Sequence, residues 1–150
     1  MLNHNDLKQI LPQAYPFLLI DRVESYKAGE SLIALKNITA NEWFFQNNEN
    51  PFNVTHHFPE TLLIEAAAQA ALVLYHVSKV KEGVKKPNYI FGKAKAEFRN
   101  VVIIGDQLRI QTFATKMMDK LGYMDVYLYT DFKKNIGNVR VIYSVVKNND

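Results

Sequence analysis

The chain has 150 residues, of which 48% are apolar and 12% aromatic, enough to build the core of one compact domain spanning residues 1–150. It contains no cysteine, which excludes disulfides and thiolate metal sites and is compatible with a reducing compartment. The net charge of +3 is mild.

The opening residues Met1 to Asp6 lack a positive segment followed by an apolar run, so no signal peptide is expected. Asn5 can cap a short helix over residues 6–11, which Pro12 would stop. Residues 16–23 read as the entry into a first strand, Lys27-Ala28-Gly29-Glu30 as a turn, and residues 31–39 as a second strand completing a hairpin. Residues 47–51 are rich in turn formers and mark a loop.

A long helix follows. From Leu62 to Val77 the only strongly polar side chains are Glu65, Gln69 and His76, so this helix should be buried nearly all round. The same three residues interrupt it short of the roughly 18 to 20 uninterrupted apolar residues of a membrane span, and a soluble, cytoplasmic protein is expected. Residues 83–87 form a loop. Strands then run over residues 88–99, 107–116, 123–132 and 138–147, separated by turn signals at Gly105-Asp106, Leu121-Gly122 and Asn135-Ile136-Gly137. Two strands, one buried helix and an antiparallel run of strands imply an α+β fold, with an antiparallel sheet wrapped around one long central helix.

An ionised carboxylate on so apolar a helix needs a partner or a task, which singles out Glu65. Gln69 lies one turn on, where its amide can orient Glu65, line a pocket or simply pack. His76 is 76 − 65 = 11 residues from Glu65 and falls on a similar face, near the helix end, where a cation is favoured. His56 and His57 precede the helix, but adjacent histidines cannot easily ligate one ion and no third ligand has suitable spacing. No metal and no cofactor are expected. Lys79, Lys81, Lys85, Lys86, Lys93, Lys95 and Arg99 cluster after the helix and form either a solvated face or a dock for an acidic partner. They lack interleaved aromatics, so nucleic acid is not expected.

Four stretches resemble the hot-dog-fold 3-hydroxyacyl-(acyl carrier protein) dehydratases, and together they cover most of the chain. They are YPFLLIDRV at 15–23, KNITANEWFF at 36–45, LLIEAAAQ at 62–69 and AEFRNVVIIGDQL at 96–108. The resemblance implies removal of water from a 3-hydroxyacyl thioester, carried by an acyl carrier protein or coenzyme A, to give a trans-2-enoyl thioester in fatty-acid or polyene synthesis. It also implies a histidine base and a carboxylic acid from different subunits, hence a homodimer or a higher assembly of dimers.

Glu65 matches the family's acid. The histidine departs from the pattern, because the family's base lies 14 positions ahead of its acid and His57 lies 65 − 57 = 8 ahead. Counting back from Glu65 places Phe58-Pro59-Glu60-Thr61 on the family's M-P-G-V and leaves Pro51 at the base position. The glycine whose N–H would face the thioester oxygen then becomes Glu60 or Thr61. Glu60 brings negative charge to that place but is also a favourable first-turn residue.

The expected site therefore comprises Glu65 and His57 as catalytic groups, with Gln69, His56, Glu60 and Thr61 against the substrate. Two further readings stay open. One is a degenerate subunit that pairs with an active hot-dog dehydratase, and the other is a thioesterase in which Glu65 activates water. Lys81, Lys85, Lys86 and Arg99 are candidates for the carrier-protein surface.

Overall fold

The structure, a computed structural model, describes residues 1–45, 57–81, 87–132 and 134–146. Helix α1 spans His4–Ile10, strands β1 Arg22–Lys27 and β2 Ser31–Asn37, and helix α2 Glu60–Lys79. Strands β3 Asn88–Phe98, β4 Gln107–Met117, β5 Leu121–Thr130 and β6 Asn135–Val146 follow. All pairings are antiparallel, in the order β1-β2-β4-β5-β6-β3. The sheet wraps α2, which is the hot-dog arrangement expected.

Helix α2 is long enough and apolar enough to cross a membrane, yet most of its surface lies inside the fold. Its run Ala66, Ala67, Ala70 and Ala71 is fully buried. Alanine is the best helix former, and its small side chain lets strands approach the helix closely. The inward faces of the strands supply the opposing layer with period-two alternation: Leu108 and Ile110 on β4, Met124, Val126 and Leu128 on β5, Val139 and Val141 on β6. Outward positions carry polar pairs such as Arg140 on Asp125, whose guanidinium holds the Asp125 carboxyl below the usual carboxylate range.

Several expected boundaries move, each for a physical reason. Helix α1 is capped by Asn3 rather than Asn5: Asn3 Oδ1 accepts from the N–H groups of Asn5 and Asp6, and Asp6 Oδ2 accepts in return from the N–H of Asn3. Residues 16–21 do not join the first strand, since part of their backbone is bonded to α2. Leu121-Gly122 and Asn135-Ile136-Gly137 are not turns but the first residues of β5 and β6. Gly122 is required within the strand because a Cβ there would overlap the Tyr143 hydroxyl. Gly137 (φ +156°) lies so close to Glu97 that a Cβ would strike its carbonyl oxygen. The loop expected at residues 47–51 lies outside the described residues.

Candidate active site

Helix α2 begins directly after Pro59, whose carbonyl accepts from the N–H groups of Leu62 and Leu63. The preceding Phe58 is fully buried, its ring 5.1 Å from that of Phe44, and its N–H donates to Val102 O at 2.7 Å. Phe58, buried, and Pro59, half-buried, thus form the lead-in to the helix. Pro51 and His56, which the alignment counted back from Glu65 and the expected site invoke, lie outside the described residues.

His57 is exposed and forms an isolated bridge with Ile103, and its Nε2 lies 3.7 Å from Glu60 Oε1. Glu60 and Thr61 are both exposed at the amino end of α2. Glu65, five residues beyond Glu60, is rotated by about 140° around the helix at about 100° per residue. Within one chain His57 therefore faces the first turn of α2, not Glu65.

Glu65 sits half-buried beside a cavity of about 80 Å³ lined by Gln13, Leu72, Tyr89, Phe91 and Tyr143, among others. Its Oε1 accepts from Gln69 Nε2 at 2.8 Å and from Gln13 Nε2 at 3.0 Å. Gln69 is itself fixed: Nε2 also donates to Phe17 O at 2.6 Å and Oε1 accepts from the N–H of Leu19 at 3.0 Å. The buried Gln69 thus satisfies two backbone groups of the 12–20 loop while pinning one oxygen of Glu65.

Aromatic side chains wall the cavity farther along the helix. Tyr89 and Tyr143 each stand edge-to-face with Tyr75, at 6.1 and 5.1 Å, and the Tyr89 hydroxyl is 3.1 Å from His76 Nδ1. Burial, then the neighbouring Tyr75, pushes the Tyr89 phenol up to about 12, and burial raises that of Tyr143 as well. His76 thus holds a tyrosine at the helix end.

Gln13, Tyr89 and Tyr143 were not singled out by sequence. Gln13 lies 52 positions from Glu65 in a loop, where no periodicity points to a pocket. Of the expected basic surface, Arg99 is engaged by Glu97 and Asn138, Lys79 lies 3.7 Å from Asp119, and Lys93 and Lys95 are exposed on β3. Lys85 and Lys86 are outside the described residues. Among the described residues no three potential metal ligands converge.

The family profile described as FabA-like domain matches residues 11–141. A 3-hydroxyacyl-(acyl-carrier-protein) dehydratase FabZ of Buchnera aphidicola subsp. Schizaphis graminum is 37% identical over 95% of this chain and 91% of its own. A protein of the same name from Pelotomaculum thermopropionicum is 39% identical over 81% of this chain and 84% of its own. Among solved structures, the dehydratase heterocomplex ApeI:P of Xenorhabdus doucetiae superposes with a TM-score of 0.78 at 14% identity, covering 95% of this chain and 91% of that one. The thioesterase HI1161 of Haemophilus influenzae does so at 0.70 and 12%, covering 100% and 94%. At such identities these two likenesses establish the fold alone, and the sequence relatives carry the kinship: the chain belongs to the FabA-like family.

Proposed function

We propose that this protein is a 3-hydroxyacyl-(acyl carrier protein) dehydratase of the cytoplasm, converting a 3-hydroxyacyl thioester to the trans-2-enoyl thioester and water. The observation that carries this reading is Glu65, set against an apolar cavity with one oxygen pinned by two amides. Oε1 is occupied as an acceptor, so the proton of a neutral carboxyl rides on Oε2, the oxygen left for substrate. The acyl chain lies in the cavity, a base takes the C2 proton, and Glu65 protonates the departing 3-hydroxyl. The amino end of α2 provides N–H groups for the thioester oxygen, although Glu60 adds a negative charge there.

The base in this reading is His57 of a second copy. Strand β3 ends the sheet order among the described residues and carries the exposed Ile90 and Phe91, where a partner strand can add. The orientation of His57 toward Glu60 favours one further reading, in which the base comes from a different hot-dog subunit and this chain contributes Glu65.

Incubation with 3-hydroxybutyryl carrier protein, followed by mass spectrometry of the carrier-bound product, tests both. An enoyl product formed by the protein alone and lost on Glu65→Gln and on His57→Ala supports the homodimeric dehydratase. Turnover only after a second hot-dog subunit is added identifies the partner role. Free 3-hydroxybutyrate as sole product would replace both readings with a thioesterase.

A further inference from the structure

We infer that the buried Lys36–Glu42 ion pair is a positioning pair, which seats both the entrance to α2 beside His57 and the hydrogen-bonded frame around Glu65. The catalytic use of those two groups rests on the dehydratase reading. Lys36 lies near the end of β2, in register with Leu108, and is only 7% exposed. Its Nζ donates to Glu42 Oε1 at 2.6 Å and to the Asn37 carbonyl at 2.9 Å, and the Glu42 side chain is also largely buried. Desolvation of both charges offsets much of their attraction, so stability alone does not account for the pair. What it fixes is the path of the chain that follows β2.

The local hydrogen bonds of that segment are long. Thr39 O accepts from the Glu42 N–H and Thr39 Oγ1 from the Asn41 N–H, both at 3.3 Å, so the ion pair is the tight closure of the turn. Glu42 leads directly into a single helical turn over Trp43–Phe45, and its carbonyl accepts from the N–H of Phe45 at 3.0 Å. Two adjacent rings of this turn meet the two halves of the site. Trp43 stands edge-to-face on Phe17 at 6.1 Å, and the Phe17 carbonyl holds Gln69 Nε2, the donor to Glu65. Phe44 stands edge-to-face on Phe58 at 5.1 Å, and Phe58 directly follows His57. A shift of Glu42 is therefore passed to both His57 and Glu65, and neither Lys36 nor Glu42 needs to touch substrate. A displacement of about 1 Å at reacting groups is enough to cost about 10²-fold in rate.

Trp43 is the only tryptophan of the chain, so its fluorescence reports the seat of this segment without turnover. Lys36→Met alone strands a buried carboxylate and should lower the urea midpoint, whereas Lys36→Met combined with Glu42→Met removes both charges and should restore it. In that double variant, acrylamide quenching of Trp43 is expected to rise, and the NMR resonances of the His57 ring and the Gln69 side-chain amide to shift. Its kcat should fall at least about tenfold while KM stays within about twofold of the wild type. Lys36→Arg keeps the pair and should match the wild type in every reading. Should the double variant not fold, Glu42→Gln, which keeps the shape and an acceptor oxygen but not the charge, carries the same expectations at smaller amplitude. Unmoved quenching and resonances, or displaced ones with wild-type kcat, would overturn the inference and leave the pair a role in stability alone. A wild type that never dehydrates, alone or mixed with a second hot-dog subunit, refutes the dehydratase reading. Displaced resonances then still identify the pair as the clamp on the helix entrance, and unmoved ones refute both.

Discussion

Glu65 and Gln69 share one hydrogen bond but perform separable tasks, and substitution distinguishes them. Glu65→Gln preserves size and the acceptor oxygen but removes the acidic proton. The dehydration rate is expected to fall by about 10²–10⁴-fold with little change in the thermal midpoint. Gln69→Leu instead strands the Phe17 carbonyl and the Leu19 N–H, at roughly 1–3 kcal/mol each, so it should lower stability in urea titration as well as activity. Equal stability of Gln69→Leu and the parent would mean that the 12–20 loop is held by other contacts. Tyr89 makes a pH prediction. Its phenol titrates near 12 when folded against 10.0 in the ordinary case. As pH rises through this window the unfolded chain gives up its proton while the folded chain keeps it, which draws the equilibrium toward unfolding. The stabilisation is therefore whole below about pH 10 and lost as pH climbs toward the folded value. Thermal midpoints followed by circular dichroism should decline less steeply across that window in Tyr89→Phe than in the wild type.

Elements recorded themselves in the sequence to the extent that their causes were local. Helix α2 was legible because an apolar run broken only by Glu65, Gln69 and His76 has few other solutions, and the alternation of β4 to β6 was legible from period two. The starts of β5 and β6 were not legible because Gly122 and Gly137 signal a turn locally, whereas here each glycine lies inside the strand and admits a neighbouring strand's atoms. Gly122→Ala places a methyl on the Tyr143 hydroxyl and should cost about 1–3 kcal/mol, as overpacking does. Gly137→Ala meets the rigid backbone of β3 and should cost more, with Gly105→Ala as the control for a positive φ with open space around it. Urea denaturation of the three variants gives the order. Glu65 was legible from its context on the helix. Gln13 was not, since its place beside Glu65 depends on how a loop far away in sequence folds back over α2.

For the whole molecule, the question is whether one chain holds a complete site. The described chain places Glu65 on the cavity and His57 at the first turn of α2, rotated away, while the β3 edge leaves Ile90 and Phe91 exposed. If two copies pair through that edge and each lends His57 to the other's Glu65, two inactive variants can rescue one another. Mixing Glu65→Gln with His57→Ala and allowing exchange gives mixed dimers in which one site has both defects and the other has none. With random pairing about half of the dimers are mixed, and the recovered activity is about a quarter of the wild type. Ile90→Lys on both variants introduces a charge at the shared edge and should abolish the rescue, with the sedimentation coefficient falling to that of a monomer. Failure of the unmodified pair to recover any activity, while each variant remains dimeric, would exclude His57 as the base lent across the interface. Recovery on adding a second hot-dog subunit would then identify that subunit as the source of the base.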